Sequence, residues 1–285
     1  VKRGDFRFLD RLRVRWAEVD MQQIVFNAHY LTYFDNAVGG YWRALALPYQ
    51  DAMRHLQGDL YMRKSVLEYE GSAHFDDLCE VGVRCMRIGN SSLLLGAALL
   101  RGERRLVRGE LLYVFADPAT QTARPVPPDL RRLIERYEAG ASVVDVRLGS
   151  WDELGREAQA VRTAVFVDEQ KIPAELEWDA ADASGVHAVA FNGLGMALAT
   201  GRLLEHSPGV ARIGRMAVLA TVRGANLGSA VLDSLAGVAR QRGDRELLLH
   251  AQASAAGFYE RQGFNRRGAM FEEAGIPHVE MVRSP

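Results

Sequence analysis

The alternation of apolar and polar positions divides the chain into two differently patterned halves. Phe6–Trp16 alternates as a half-buried strand does. From about Ala28 to Ala46 the period changes: Tyr30, Tyr33, Phe34, Ala37, Tyr41 and Leu45 recur at spacings of three and four, the signature of one helical face. That aromatic stripe reads as core packing, with a ligand wall as the alternative. Strand-like runs follow at 60–70, 79–88, 91–101 and 104–116. Gly89-Asn90 and Gly102-Glu103 separate the last three as hairpin turns would. One long helix followed by a meander of strands predicts an α+β unit, its helix packed on a curved antiparallel sheet.

A seam is expected near 139–150. The Pro-rich turn Arg124-Pro125-Val126-Pro127-Pro128 precedes a short amphipathic helix, Asp129–Glu138. The small residues Ala139-Gly140-Ala141-Ser142 follow it. This predicts domains at 1–138 and 139–285. Beyond the seam a helix carrying Leu154, Ala158, Val161, Arg162, Val165 and Phe166 leads into a polar loop. Strands are expected at 187–191, 196–204, 211–219, 246–250 and 278–282, with helices at about 225–240 and 254–262. The strand–helix–strand–helix order over 211–262 implies parallel or mixed pairing with crossover helices.

Composition narrows the function classes. The 285 residues are 48% hydrophobic and 25% charged, with a formal net charge of -1, so no global positive field would attract nucleic acid or an anionic membrane. No apolar run approaches the ~20 residues of a membrane span, and the opening Val1-Lys2-Arg3-Gly4-Asp5 does not read as a signal peptide. Cys79 and Cys85, an even number of residues apart, fall on one face of a strand and read as small core residues. With no disulfide framework and no metal-ligand spacing, the expectation is a reducing cytoplasm and no metal.

Two stretches carry candidate chemistry. In the second half, Arg215-Met216-Ala217-Val218 ends a strand, and Arg223-Gly224-Ala225-Asn226-Leu227-Gly228-Ser229 is a small, glycine-bearing turn opening a helix. Unsatisfied N–H groups at a helix start seat a phosphate, although an ordinary glycine turn would look the same. The stretch resembles the R/Q-x-x-G-x-G/A motif of the GNAT acyltransferases, with Asn226 in place of a glycine. Phe258-Tyr259-Glu260-Arg261-Gln262-Gly263-Phe264 is similar to their F-Y-x-x-x-G-F element, and Gln252 stands where many members have Asn. The resemblance implies that Arg223, Gly224, Ala225, Asn226, Leu227, Gly228 and Ser229 hold the pyrophosphate of acyl-CoA. It implies that Met216, Ala217 and Val218 bind the pantetheine arm, and that Tyr259 is the acid for the leaving thiolate. The base is left open among Glu169, Glu177, Asp179, Asp182, His187 and His250, most of the acidic ones being expected simply to solvate a loop.

In the first half, Arg15-Trp16-Ala17-Glu18-Val19-Asp20-Met21-Gln22-Gln23-Ile24-Val25-Phe26-Asn27-Ala28-His29-Tyr30 places a carboxylate before the start of the long helix. Such a carboxylate can activate water or attack a carbonyl that the helix start polarises, yet an Asp here is more often a turn residue. The stretch resembles the hotdog thioesterases of the 4-hydroxybenzoyl-CoA type, W-A-x-x-D-x-x-G-I-V-F. This implies Asp20 as catalytic residue, Asn27 and Ala28 as the carbonyl-binding helix start, and a homodimer or tetramer. Gln23 replaces the usual glycine. Together the resemblances imply acyl-CoA hydrolysis by a hotdog domain fused to acyl transfer onto an unidentified amine by a GNAT mixed α/β domain. The alternative is a hotdog domain used only for acyl-CoA binding or oligomerisation.

Overall fold

The computed structural model describes residues 2–273 and 275–285. The chain forms two compact units, Val1–Val143 and Val144–Pro285.

In the first unit, strands β1 (Phe8–Arg13), β2 (Asp59–Tyr69), β3 (Leu78–Ile88), β4 (Ser92–Arg101) and β5 (Arg104–Ala116) form an antiparallel sheet in the order β1-β3-β4-β5-β2. Helix α1 (Asn27–Ala44) lies on this sheet and buries the aromatic stripe: Tyr30, Tyr33, Phe34, Ala37 and Tyr41 are all enclosed. The stripe is therefore core, with Tyr30 also reaching the cleft described below. Gly109 of β5 makes the close approach possible, since a Cβ there would stand 2.6 Å from the Phe34 ring. Burying a ring of that size contributes about 2–3 kcal/mol. A short α2 (Tyr49–His55), which the periodicity did not announce, leads into β2, and α3 (Pro128–Glu138) closes the unit. The Glu138 carboxylate on α3 accepts from Tyr41 Oη (2.5 Å) and from the Cys85 amide (2.7 Å), tying α1, α3 and β3 together. Cys79 and Cys85 share a strand face as expected. Burial pushes their thiols up to about 11 and about 12, so both stay protonated and unreactive.

The second unit is a seven-stranded mixed sheet in the order β11-β12-β10-β9-β8-β7-β6. Its strands are β6 (Val144–Gly149), β7 (Val186–Asn192), β8 (Ala197–Ser207), β9 (Val210–Val218), β10 (Glu246–Gln252), β11 (Asn265–Glu273) and β12 (Ile276–Arg283). Helices α4 (Trp151–Arg162), α5 (Ala174–Glu177), α6 (Leu227–Arg242) and α7 (Ala256–Arg261) connect them. The β9–α6–β10 crossover makes a parallel pair, and the other neighbours are antiparallel. Sequence periodicity anticipated one closing strand. The structure has a β11–β12 hairpin, with β12 inserted between β10 and β11. β11 is exposed along its whole length and so leaves no buried face for a pattern to report. Helix α4 runs directly into a π-helical turn, Thr163–Glu169, a rare form that is frequent at functional sites.

The region expected to solvate a loop is instead an ionic core. Arg162, 1% exposed, donates to Glu177 Oε1 (2.6 Å) and Asp182 Oδ1 (2.8 Å). Arg202 donates to Asp179 (2.6 Å) and Asp182 (2.7 Å), and Arg215 donates to Asp179 (2.9 Å). Three guanidinium groups neutralise three carboxylates, which permits their burial. The network fixes residues 174–184 against β8 and β9.

Candidate active sites

In the first unit, Val19 and Val25 form an isolated bridge, and the segment between them turns tightly. The Asp20 amide donates to the Ile24 carbonyl (2.9 Å), and the Gln23 amide donates to the Asp20 carbonyl (2.9 Å). This is a three-residue hairpin loop whose last position demands the left-handed conformation. Gln23 takes it, at φ 63°. The residue that replaces glycine in the motif thus keeps glycine's backbone, at a strain of about 1–2 kcal/mol.

The loop and the start of α1 border a cleft of about 250 Å³ lined by Asp20, Ile24, Phe26, Asn27, Tyr30 and Tyr69, among others. Asp20 and Asn27 are therefore brought together, while Ala28 sits exposed one residue further into the helix. Phe26 is the N-cap and supplies no side-chain acceptor, so the first N–H groups of α1 stay available to a carbonyl oxygen. One oxygen of Asp20 accepts from the Gln22 amide (2.8 Å), the ordinary turn role of an Asp. Behind the loop, Glu18 is buried. It accepts from Tyr33 Oη of α1 (2.6 Å) and from the Arg15 amide (2.7 Å), and its carbonyl accepts the Phe26 amide (2.9 Å). Burial pushes the Glu18 carboxyl up, but these hydrogen bonds outweigh it and hold the group below the ordinary carboxylate range. Glu18 staples the loop to the helix. Its role was not read from the sequence, although a carboxylate two residues before Asp20 was visible there.

In the second unit, β9 and β10 pair only from Val210/Glu246 to Ile213/Leu249. Beyond that point β9 continues against β8 alone, through Ala217↔Thr200 and Val218↔Ala199. Arg215, at φ 52°, marks the bulge where the strand bends away. The backbone of Met216, Ala217 and Val218 thus borders an open wedge between the two strands. At the end of β9, Gly224 (φ 89°) and Asn226 (φ 59°) turn the chain into α6, where Leu227, Gly228 and Ser229 form the first turn. Asn226 is the N-cap and makes no side-chain cap bond, leaving these N–H groups for an anion. By contrast, the start of α4 is closed by the Glu153 carboxylate accepting from the Ser150 amide (2.8 Å).

The Arg223 side chain does not point at a free anion seat. It donates to both oxygens of Glu169 (2.8 and 2.7 Å) and to the Val218 carbonyl (3.1 Å). Tyr259 lies on α7, packed edge-on against Phe258 and Phe264. Gln262 donates to Ser229 Oγ (3.0 Å), and a Cβ at Gly228 would stand 3.3 Å from the Phe258 ring, so the Tyr259 helix is docked on the anion turn. Burial pushes the Tyr259 phenol up to about 12. Among the described residues no cluster of His, Cys, Asp and Glu could hold a metal ion, and no helix is long and apolar enough to cross a membrane.

Comparison with known proteins finds relatives for both units. The family model of the acetyltransferase (GNAT) domain matches residues 157–284, and that of the thioesterase-like superfamily matches residues 14–134. The uncharacterised N-acetyltransferase YjcF of Bacillus subtilis is 32% identical over 133 residues, which cover 46% of this chain and 94% of the relative. The chain belongs to the GNAT acetyltransferase family. Its other half is similar to the acyl-CoA thioester hydrolase YbgC of Escherichia coli, 24% identical over 120 residues, covering 42% of this chain and 89% of the relative. The crystal structure of Escherichia coli ElaA matches with a TM-score of 0.45 and 26% identity, over 50% of this chain and 99% of that one.

The protein thus joins a thioesterase-like hotdog domain to a GNAT domain, in that order. The GNAT domain's ionic core was the feature furthest from view in the sequence. Its six members are scattered from 162 to 215 and carry no local spacing signal.

Proposed function

We propose that this chain processes acyl-CoA at two sites, hydrolysing the thioester in the thioesterase-like domain and transferring an acyl group to an amine in the GNAT domain. The transferase reading rests on the wedge between β9 and β10, which leads to an uncapped helix start at Leu227–Ser229. Backbone N–H groups there would hold the pyrophosphate, the edge of Met216–Val218 that β10 does not pair would bind the pantetheine amides, and the thioester would lie toward α7. Tyr259, its phenol raised to about 12, stays protonated at every physiological pH. A thiolate with an ordinary value near ~8.5 is the weaker base. Tyr259 therefore acts by donating a hydrogen bond as charge develops on sulfur, more than by handing over its proton outright.

The hydrolase reading rests on the cleft that Asp20 shares with the start of α1. The helix N–H groups polarise the thioester oxygen, and the Asp20 carboxylate either deprotonates a water or attacks the carbon itself. β2, an edge of its sheet with Met62, Val66 and Tyr69 exposed, supports self-association of this domain. A second reading keeps the domain for acyl-CoA binding alone. The Gln22–Asp20 turn bond favours it, since it occupies one carboxylate oxygen.

One paired experiment separates these readings. Thiol release from a panel of acyl-CoA esters should fall at least ~100-fold in Asp20→Asn. In Tyr259→Phe, acetyl transfer should slow about tenfold with CoA affinity unchanged. Equal, slow hydrolysis by wild type and Asp20→Asn leaves only binding in the first domain. Unaltered turnover in Tyr259→Phe removes the phenol from the mechanism.

A further inference from the structure

Transfer to an amine needs a group that first takes a proton. An alkylammonium with an ordinary value of about 10.4 is less than ~0.1% free amine at neutral pH. Six side chains of the GNAT domain were singled out from the sequence as candidates by type, and the structure disposes of five. Glu169 is held at both oxygens by Arg223. Glu177, 3% exposed, lies between Arg162 and Arg215. Asp179 is taken by Arg202 and Arg215, and Asp182 by Arg162 and Arg202. His187 has no exposed surface, and its Nε2 faces the Asp182 carbonyl at 2.9 Å.

We infer, on the acyl-transfer reading above, that His250 is the general base that deprotonates the acceptor amine. It is the first residue of β10 beyond the last β9 pair, Leu249↔Ile213, and so stands at the apex of the wedge, where the strands part. Its side chain is 26% exposed. Charged and titratable groups face it from three strands. Arg212 Nη2 of β9 is 3.0 Å from Nδ1, Glu273 Oε2 of β11 is 3.3 Å from Nδ1, and Glu280 Oε2 of β12 is 3.7 Å from Nε2. The Phe271 ring packs edge-on against the imidazole and is itself stacked on His278. Glu280 is paired in turn with Arg267 (2.5 Å) and feels the charge of His206.

Nδ1 cannot accept from Arg212 and donate to Glu273 at once, so the two contacts belong to opposite tautomers. When Nδ1–H donates to Glu273, the ring is oriented by a carboxylate and the Nε2 lone pair is free, because Glu280 at 3.7 Å is beyond hydrogen-bond reach. That tautomer is the competent base, and Glu273 is its positioning residue. The ammonium gives a proton to Nε2. The amine lone pair then attacks the thioester carbon, and the C–S bond breaks as the C–N bond forms. The thiolate, hydrogen-bonded by Tyr259, takes the second nitrogen proton to leave as thiol. The imidazolium returns its proton to solvent.

Two measurements on the full chain test this. Long-range proton–nitrogen correlation spectra, with the His250 signals assigned by their loss in His250→Gln, should show neutral His250 protonated on Nδ1. Glu273→Gln should shift it toward the Nε2–H form. A wild-type ring protonated only on Nε2 overturns the assignment. In acetyl transfer to hexylamine, spermidine or lysine, His250→Gln should lose ~100-fold in kcat/KM at neutral pH. The deficit should narrow toward alkaline pH as free amine accumulates, with KM for acetyl-CoA unchanged. A His250→Gln profile within threefold of wild type at every pH also overturns it. If wild type binds CoA by calorimetry but uses none of these amines, the tautomer decides the matter. If wild type does not bind CoA, the acyltransferase reading itself fails, and His250 with it.

Discussion

The loop before α1 and the loop before α6 solve the same steric problem in opposite ways. Each must bring the chain into a helix start left open for a ligand oxygen, and each passes through the left-handed region at a residue other than glycine, Gln23 at φ 63° and Asn226 at φ 59°. In the first loop the charged side chain, Asp20, borders the cleft, and the buried Glu18–Tyr33 pair, joined by the exposed Arg15, supports it from behind. In the second loop the charged side chain, Arg223, is paired with Glu169 and the Val218 carbonyl, and the N–H groups of the first turn of α6 carry no side-chain cap. On the proposed function, the first loop presents a carboxylate for chemistry and the second presents N–H groups for binding.

The contrast is sharpest at Gly228. If the second loop binds through its backbone and its docking on α7, a side chain there should damage it most. Gly228→Val would drive a Cβ toward Phe258 and Val218, at 3.3 and 3.5 Å before any relaxation. CoA affinity measured by calorimetry should fall at least ~10-fold, with a stability loss of about 1–3 kcal/mol from overpacking. Affinity within twofold of wild type would mean that the anion seat lies elsewhere.

How much of this was legible beforehand differs between the loops. The turn before α6 could be placed within two residues, because small residues and a glycine precede an apolar helix face, although its role was not separable from that of an ordinary glycine turn. What could not be read was that Arg223 is already occupied, since Glu169 lies 54 positions away on a π-helical turn that no periodicity predicts. Asp20 was readable as a residue type, but its cleft depends on Tyr69, contributed by a strand distant in sequence. The fold followed its buried faces: the α1 stripe and the strands of the first sheet announced themselves, while β11, exposed on both faces, did not. The ionic core escaped because charge patterns in sequence report solvent faces far more often than buried networks.

A smaller effect tests the strain side of the comparison. Gln23→Gly removes the left-handed penalty but adds unfolded-state entropy, for a net gain of about 0.5–1 kcal/mol. Asn226→Gly should move stability by no more than a few tenths, because Asn already tolerates that conformation. Urea denaturation of the two variants measures the difference directly. Equal shifts would show that Gln23 is no more strained than Asn226.

The smallest effect concerns the occupied guanidinium. Arg223 holds the Glu169 carboxyl below the ordinary carboxylate range by a hydrogen-bonded ion pair. A group whose folded value is depressed stabilises the protein above its unfolded value, near ~4.3, and loses that contribution as the pH falls through the folded value. The side chains are 45% and 40% exposed, so screening limits the pair to about 0.5 kcal/mol. The slight stability advantage of wild type over Glu169→Gln should therefore be present at pH 7 and vanish in the acidic range below ~4. Arg223→Met should change CoA affinity less than threefold, because three of the arginine's five N–H donors already serve Glu169 and the Val218 carbonyl. A tenfold loss would mean that coenzyme A displaces Glu169 and claims the guanidinium, and the second loop would then, like the first, work through its side chain.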